Sequence, residues 1–367
     1  MNVSRDESSI GRPTPIGVAL LGYDGAGTQN HQLDMYEPAF AANPAYALRC
    51  VTDHEGVSDA RRAVSLRAAE RLGVAYVPNL DEALARDDVE VASVCVHFRD
   101  RVDAVERAAL HGVDVLVDKP MALRLEDIDR MAAVAEAAGT RCVPANHIRY
   151  HPAVTAMRST IGAGRIGALS SLHADFIVTT GATRDSAQNP RPWPLGELMN
   201  FLTYPVDVIR SVTDQEVSRV HATRGGYFYG GNDDEDLGVV TLMLEGGATA
   251  TLIVCRAPLT GHISAGTHRY RVMGTDGMVL VDLKRPFGLL HSANPTKSIA
   301  IAHEWNSVDL MLSDLATALR SGHAPDLGPA DARAALEVTL AARRSADEGR
   351  TVALVGNGRR SEGGPST

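Results

Sequence analysis

Residues 16–31 read IGVALLGYDGAGTQNH: an apolar run of strand length, a turn carrying Gly22, Gly25 and Gly27, and the start of a helical stretch that continues to about Ala42. A strand delivered through a glycine turn into a helix opens a βαβ unit. Glycines at such a turn permit a tight reversal, let the backbone approach a pyrophosphate, and leave amide N–H groups at a helix N-terminus facing the anion. Strict G-x-G-x-x-G spacing would put Asp24, bulky and negative, at the second glycine; a one-residue insertion gives that place to Gly25, with Ala26 between it and Gly27. Gly22, Asp24, Gly25, Ala26 and Gly27 are therefore the expected dinucleotide loop, the alternative being an ordinary glycine-rich turn.

Outward from this loop the same alternation repeats. ALRCVTD (47–53), VAYV (74–77), VASVCV (91–96), VDVLVD (113–118) and RCVPAN (141–146) read as strands, with helical segments at 57–72, 81–86, 102–111 and 125–138 between them. Near-continuous Val-rich runs are what strands covered on both faces look like. The expectation is an α/β chain whose N-terminal domain, residues 14–145, is a doubly wound parallel sheet of the Rossmann kind. After Pro152 the texture changes to one helix at 153–161 and longer, partly alternating strands, SSLHADFIV, VVTLML and ATATLIV, the last two joined by EGGA as a hairpin turn. That predicts a C-terminal α/β domain, residues 146–355, with an open, mostly antiparallel sheet. Its late helices at 308–321 and 330–348 are expected to pack back on the first domain. Residues 1–13 and 356–367 read as disordered tails.

Composition narrows the function classes. The 367 residues are 44% hydrophobic and 22% charged, and no apolar run is long enough to cross a bilayer. The N-terminal MNVSRDESSIGRPTP lacks the apolar core of a secretion signal, so the chain is read as cytoplasmic. Net charge is −9 and the basic residues are dispersed, so neither nucleic acid nor a membrane is an expected partner. Cys50, Cys95, Cys142 and Cys255 lie far apart in apolar segments and read as reduced core residues, Cys95 alone having a rival reading as a functional thiol. His and Asp show no metal-ligand spacing, and no metal is expected.

Asp53 ends the second strand, where a dinucleotide site places an acid to accept hydrogen bonds from ribose hydroxyls. Its charge would repel a 2′-phosphate and no Arg follows it directly, which favours NAD over NADP; otherwise Asp53 caps the loop into the next helix. The stretch VDVLVDKPMALRLEDI then sets Lys119 between Asp118 and Pro120 at the carboxyl end of a buried strand, where open α/β sheets bind their ligands.

Here the sequence resembles the Gfo/Idh/MocA family, that of glucose-fructose oxidoreductase, inositol dehydrogenase and rhizopine-catabolism oxidoreductases. Its E-K-P signature appears as Asp118-Lys119-Pro120, and its N-x-R-x-x-P segment as ANHIRYHP, with Asn146, His147, Arg149 and Pro152. GRIGAL is similar to its G-x-I-G segment, and GELMNFLTYPVD stands for its D-x-G-x-H-x-x-D helix. With Asp207 as the last acid, Tyr204 replaces the usual catalytic His and Asn200 the usual Asp; Val96-His97 replaces the usual Thr-Pro after the fourth strand. The resemblance runs from Ile16 to about Leu354. It implies a cofactor side that includes Val96, His97, Asp118 and Lys119, and a homodimer or homotetramer joined through the second-domain sheet.

An alcohol being oxidised must lose its hydroxyl proton as hydride leaves carbon, so a base within hydrogen-bond reach is required. The expected catalytic set is Lys119, Tyr204 and His147, with the Lys119 ammonium lowering the phenol pKa of Tyr204. Asn146, His147, Arg149, Asn200, Tyr204 and Lys119 are the expected substrate contacts. Arg149 and His147 either clamp substrate hydroxyls or pair with acids between the domains; Tyr204 is otherwise a packed core residue, and Asp207 a structural acceptor. Arg184, Arg191 and Trp193, with His262 and His268, either line the substrate side or are solvated loop residues. The leading function is NAD-dependent hydride transfer at a secondary alcohol of a sugar, inositol or sugar derivative. The alternatives are an NAD-retaining glycoside hydrolase acting by transient oxidation and elimination, and a non-catalytic dinucleotide-sensing regulator.

Overall fold

Six strands, β1 (Ile16–Leu21), β2 (Tyr46–Thr52), β3 (Ala75–Val77), β4 (Val91–Val94), β5 (Asp114–Val117) and β6 (Cys142–Pro144), pair in parallel in the order β3-β2-β1-β4-β5-β6. These come from a computed structural model that describes residues 14–23, 30–179, 195–228, 235–257, 266–284, 287–292, 297–300 and 306–354. Asp24, Gly25, Ala26, Gly27, Arg184, Arg191, Trp193 and His262, and both terminal segments, lie outside the described residues. The strand order reverses between β1 and β4, and open α/β sheets bind ligands at the crevice such a reversal leaves at the strands' carboxyl ends. Every residue of β1 and of β4 is buried, which explains their unbroken apolar runs.

The second sheet has nine strands: β7 (Leu169–Thr179), β8 (Val217–Gly225), β9 (Leu237–Leu244), β10 (Thr249–Ala257), β11 (Thr267–Gly274), β12 (Gly277–Asp282), β13 (Phe287–Ser292), β14 (Lys297–Ala300) and β15 (Val352–Ala353). Their order is β14-β13-β12-β11-β7-β10-β9-β8-β15, antiparallel except where β7 meets β10. The β9–β10 turn falls on the EGGA segment and Gly247 takes φ +89°, the conformation the hairpin reading demands. Leu172, Ala174 and Phe176 of β7 alternate with half-buried Ser171, His173, Asp175 and Ile177, so one face is core. Strands β8 and β11 escape the sequence reading because outward Arg219, His221, Arg269 and Arg271 interrupt their apolar residues.

Two late helices tie the sheets together. Helix Pro329–Glu348 turns Ala332 and Leu336 toward the apolar cluster of β4 and β5, and Ala335, Val338 and Ala342 toward that of the second sheet. Helix Ser307–Ser321 lays Val308, Met311, Leu312 and Leu315 against the cluster of Leu20, Tyr36 and Phe40. The carboxyl ends of β1, β4 and β5 are thereby held against the helices Gly196–Phe201 and Thr203–Thr213 of the second layer.

At the end of β1 the chain takes φ +77° at Gly22, where a Cβ would stand 2.7 Å from Val96 Cγ1 and 3.2 Å from the Cys95 carbonyl. Both the conformation and the space require glycine. Gly22→Ala is expected to cost about 1–3 kcal/mol in urea unfolding; wild-type stability in this variant would show that the turn has other ways to close.

Candidate active site

Asp118 follows β5 and is buried at 1% exposure. Its Oδ1 accepts from Tyr36 Oη at 2.7 Å and meets His31 Nδ1 at 2.8 Å, and its Oδ2 accepts from Arg101 Nη2 at 3.0 Å. Arg101, equally buried, opens the helix Arg101–Leu110 and also donates to the carbonyls of Val96, Asp118 and Pro120. Burial works against the carboxylate charge, but His31, Arg101 and Tyr36 outweigh it and hold Asp118 well below the usual carboxyl range. Asp118, expected on the cofactor side, has these three donors as its partners. It fixes the strand end from which Lys119 projects.

The Lys119 ammonium, buried at 4% exposure, donates to Asn200 Oδ1 at 2.8 Å and to the Asn200 carbonyl at 3.2 Å. Asn200 Nδ2 donates in turn to Glu197 Oε2 at 3.0 Å, and Arg256 Nε donates to Glu197 Oε1 at 2.7 Å. Burial pushes the Lys119 pKa down to about 8; Asp118 and Glu197 pull it up against that, and Arg256 and Arg101 push it further down. Burial likewise raises Glu197, with Arg256 opposing it. Sequence reasoning named Asn200 but missed Glu197 and Arg256. Glu197 sits three residues before Asn200 on the same helix, a spacing that puts both on one face. Arg256 is hidden in the apolar run LIVCRA of β10.

Tyr204 stands beside this group without sharing its proton chain. Lys119 Nζ is 5.0 Å from the centroid of the Tyr204 ring, and its hydrogen bonds go to Asn200. Burial, with Asp118 adding to it, raises the Tyr204 pKa well above 10. The expected lowering by Lys119 is therefore corrected: desolvation of the phenolate exceeds the attraction of an ammonium that faces the ring. The ring stacks on Phe176 at 5.5 Å, and His147 meets it edge-on at 5.7 Å. His147 Nδ1 pairs with Ser307 Oγ at 2.8 Å, and burial, with His31 and Lys119 nearby, lowers its pKa to about 3, so the ring is neutral. His268 stacks on the other neighbour of this wall, Phe176, at 3.9 Å, with Nε2 buried and unpartnered among the described residues. Asn146, also buried, precedes the 3-10 turn His147–Tyr150.

At the carboxyl ends of β1 and β2 lies a cavity of about 190 Å³ whose lining includes Gly22, Asp53, His54, Ser58, Arg61 and Val96. Asp53 accepts from Ser65 Oγ at 2.8 Å and from Tyr76 Oη at 3.0 Å. The helix Asp59–Leu72 is capped by Ser58, not by Asp53. Arg61, which the sequence reading did not connect with Asp53, lines the same cavity and donates to the Tyr23 carbonyl at 3.3 Å. His97, expected near here, packs its ring at a tilt against Phe98, centroids 3.9 Å apart. Among the described residues one group, His54, Glu55 and Asp103, brings metal-ligand atoms within 4.8 Å, and both carboxylates pair with Arg107.

Arg149 is corrected from substrate clamp to structural tie. Its guanidinium grips Asp207 through two nitrogens, Nη2 reaches Asp331 at 2.9 Å, and Nη1 donates to the Asp326 carbonyl at 2.7 Å. Buried Asp207, half-buried Asp331 and the Asp326 carbonyl take up the donors a hydroxyl would need. Cys95 is fully buried and its thiol is pushed up by burial, which makes it a packing residue.

Comparison with known proteins agrees with this fold. Residues 16–146 match the family model described as oxidoreductase family, NAD-binding Rossmann fold, and residues 154–280 match the GFO/IDH/MocA C-terminal domain. A dTDP-3,4-didehydro-2,6-dideoxy-alpha-D-glucose 3-reductase from Streptomyces violaceoruber is 27% identical over 70% of this chain and 71% of its own length. A myo-inositol 2-dehydrogenase from Thermotoga maritima is 24% identical over 81% of this chain and 90% of its own. The crystal structure of an oxidoreductase domain protein from Kribbella flavida shares the fold with a TM-score of 0.80 at 19% identity, covering 94% of this chain and 100% of the other.

If Arg149 is a tie, Arg149→Met leaves Asp207 and Asp331 facing each other without their shared cation. It should lower stability in urea unfolding by about 3–5 kcal/mol while leaving NADH affinity unchanged. A variant as stable as wild type would return Arg149 to the substrate side.

Proposed function

The chain belongs to the Gfo/Idh/MocA family of oxidoreductases, and from that premise we propose that it moves a hydride between a secondary alcohol carbon of a sugar, inositol or sugar derivative and NAD(H). The observation that carries this reading is Lys119: an amine with a pKa near 8, buried at the carboxyl end of β5 beside Tyr204 and His147. The two relatives are named for a deoxysugar nucleotide and for myo-inositol, which supports a polyhydroxylated ring as substrate.

The residues fit a dinucleotide. Gly22 leaves the gap that a Cβ would fill against Val96, and the cavity beside it extends to Asp53. Gly22, Asp53, Val96 and His97 would hold it, together with Asp24, Gly25, Ala26 and Gly27, assigned from sequence alone. A bound nicotinamide supplies the hydride acceptor or donor. In the oxidation direction the neutral Lys119 amine takes the hydroxyl proton of the substrate at Nζ; in reduction the ammonium returns it. Tyr204, kept protonated by burial, serves as a hydrogen-bond partner of the reacting hydroxyl. Neutral His147, Asn146 and Asn200 orient the neighbouring hydroxyls. Phe176 and Phe201 keep the wall around them apolar. Arg184 and Trp193 remain substrate-side candidates on sequence grounds. The four cysteines are all buried and unpaired, which suits a reducing cytoplasm, and no described helix is long and apolar enough to cross a membrane.

We also propose a homodimer or homotetramer built on the outer face of the second sheet, where Ile177, Val239 and Ile253 lie near exposed Met243 and Met273. Light scattering should give an assembly mass above that of a single 39.1 kDa chain; a monomer at micromolar concentration contradicts it.

The preference proposed is for NAD(H): a carboxylate at the end of β2, where dinucleotide sites contact the adenine ribose, would repel a 2′-phosphate. Fluorescence titration should therefore show tighter binding of NADH than of NADPH, and the reverse order would remove Asp53 from this role. With a sugar and inositol panel, the oxidation rate should rise with pH through about 8 as Lys119 loses its proton, and reduction should fall over the same range. Lys119→Met should cost on the order of 10²–10⁴-fold in turnover, with dinucleotide affinity kept. A flat pH profile together with an active Lys119→Met protein would move proton transfer to another group.

A further inference from the structure

Lys119 is one of three lysines in the chain, with Lys284 and Lys297. Its ammonium is buried, yet both of its hydrogen bonds end on neutral oxygens of Asn200. A buried cation is tolerated only with compensating charge close by. Asp118, its neighbour in sequence, already has His31, Tyr36 and Arg101 as partners. Among the described residues the other carboxylate acting on it is Glu197, fully buried, which accepts from Asn200 on one oxygen and from Arg256 on the other. The Phe201 ring lies 5.4 Å from Lys119 Nζ and 5.0 Å from the Arg256 guanidinium carbon, so two cations and this carboxylate occupy one buried compartment.

We propose that Glu197 is a positioning residue for Lys119: through the Asn200 amide, and braced by Arg256, it orients the ammonium and fixes how readily that group gives up its proton. Two physical effects combine. An amide can present either its oxygen or its NH₂ to a neighbour. Because Glu197 can only accept, it takes the Asn200 NH₂ and leaves Oδ1 facing Lys119. Donation to a carboxylate also polarises the amide, which makes that oxygen the stronger acceptor. Arg256 holds the second Glu197 oxygen, so the carboxylate cannot swing across to pair with Lys119 directly. Among the described residues the charged and titratable groups around Lys119 are Asp118 and Arg101 from the first layer, Glu197, Arg256 and the protonated Tyr204 from the second, and neutral His147. Changing Glu197 leaves the Asp118–Arg101 pair in place.

With three lysines, a protein labelled with [ε-13C]lysine gives a spectrum in which Lys119 is assigned by its loss in Lys119→Arg, and its titration is read without substrate. In wild type the Lys119 signal should titrate near about 8. Glu197→Gln should lower that midpoint by about one unit or more, a roughly tenfold loss of proton affinity. The exchange Glu197→Gln with Asn200→Asp keeps the charge count and puts the carboxylate next to the ammonium, so its midpoint should lie above wild type. A midpoint unmoved by Glu197→Gln overturns the proposal. If that variant does not fold, the exchange decides: a native melt with a midpoint at or above wild type supports the proposal, and failure to fold or a lower midpoint overturns it. The catalytic meaning rests on the role proposed for Lys119. Since the titration needs no turnover, an unmoved midpoint with Lys119→Met still inactive would sink this inference alone.

Discussion

A lysine set just after the buried end of a parallel strand obliges the rest of the fold to supply charge around it. Lys119 leaves β5, one strand beyond the reversal between β1 and β4, and reaches Asn200 on a helix of the second layer. Removing an ammonium from water costs several kcal/mol even after relaxation. The structure answers with carboxylates on two sides, Asp118 from below and Glu197 from across the cleft, each fastened by its own arginine. Arg101 is further tied down by the carbonyls of Val96, Asp118 and Pro120.

That requirement explains why the two domains share elements. The hub at Asp118 draws on the turn Gln32–Tyr36 and its preceding His31, on β5 and on helix Arg101–Leu110, all in the first layer. The second carboxylate arrives on helix Gly196–Phe201, whose placement depends on the sheet behind it and on Pro329–Glu348 bridging both clusters. Arg149 works at the same seam, joining the 3-10 turn to Asp207 and Asp331. An amine near pKa 8 is thus a property of the interface between layers, since each layer supplies one of the two carboxylates that offset burial.

The fold was legible where local pattern and tertiary environment agree. Helix Leu125–Ala138 matches its sequence boundaries to the residue because its apolar face is periodic and Gly139 ends it in the left-handed conformation. Strand β11 was missed because one of its faces carries Arg269 and Arg271, and charged residues on a half-exposed strand erase the β signature. In the site, Lys119 was legible from its neighbours in sequence. The partners of Asp118 were not, since His31, Tyr36 and Arg101 are distant in sequence and only the doubly wound topology brings them together. Tyr204 was placed correctly beside Lys119 but its proton affinity was misjudged, because sequence shows proximity of charge and hides desolvation. Arg149 shows the converse: its sequence context favours a substrate contact, and the folded chain surrounds it with acidic partners.

The central claim is that Lys119 handles the proton while Tyr204 stays a neutral partner. The most direct test is a crystal structure with the oxidised dinucleotide and a slow-reacting inositol or sugar in the cleft. The account predicts that Lys119 Nζ lies within about 2.6–3.2 Å of the hydroxyl on the carbon facing the nicotinamide, the reach required of a proton-transfer group, with Asn200 still accepting from the same nitrogen. A complex in which that hydroxyl pairs with Tyr204 alone, and Lys119 touches only Asn200, would contradict it.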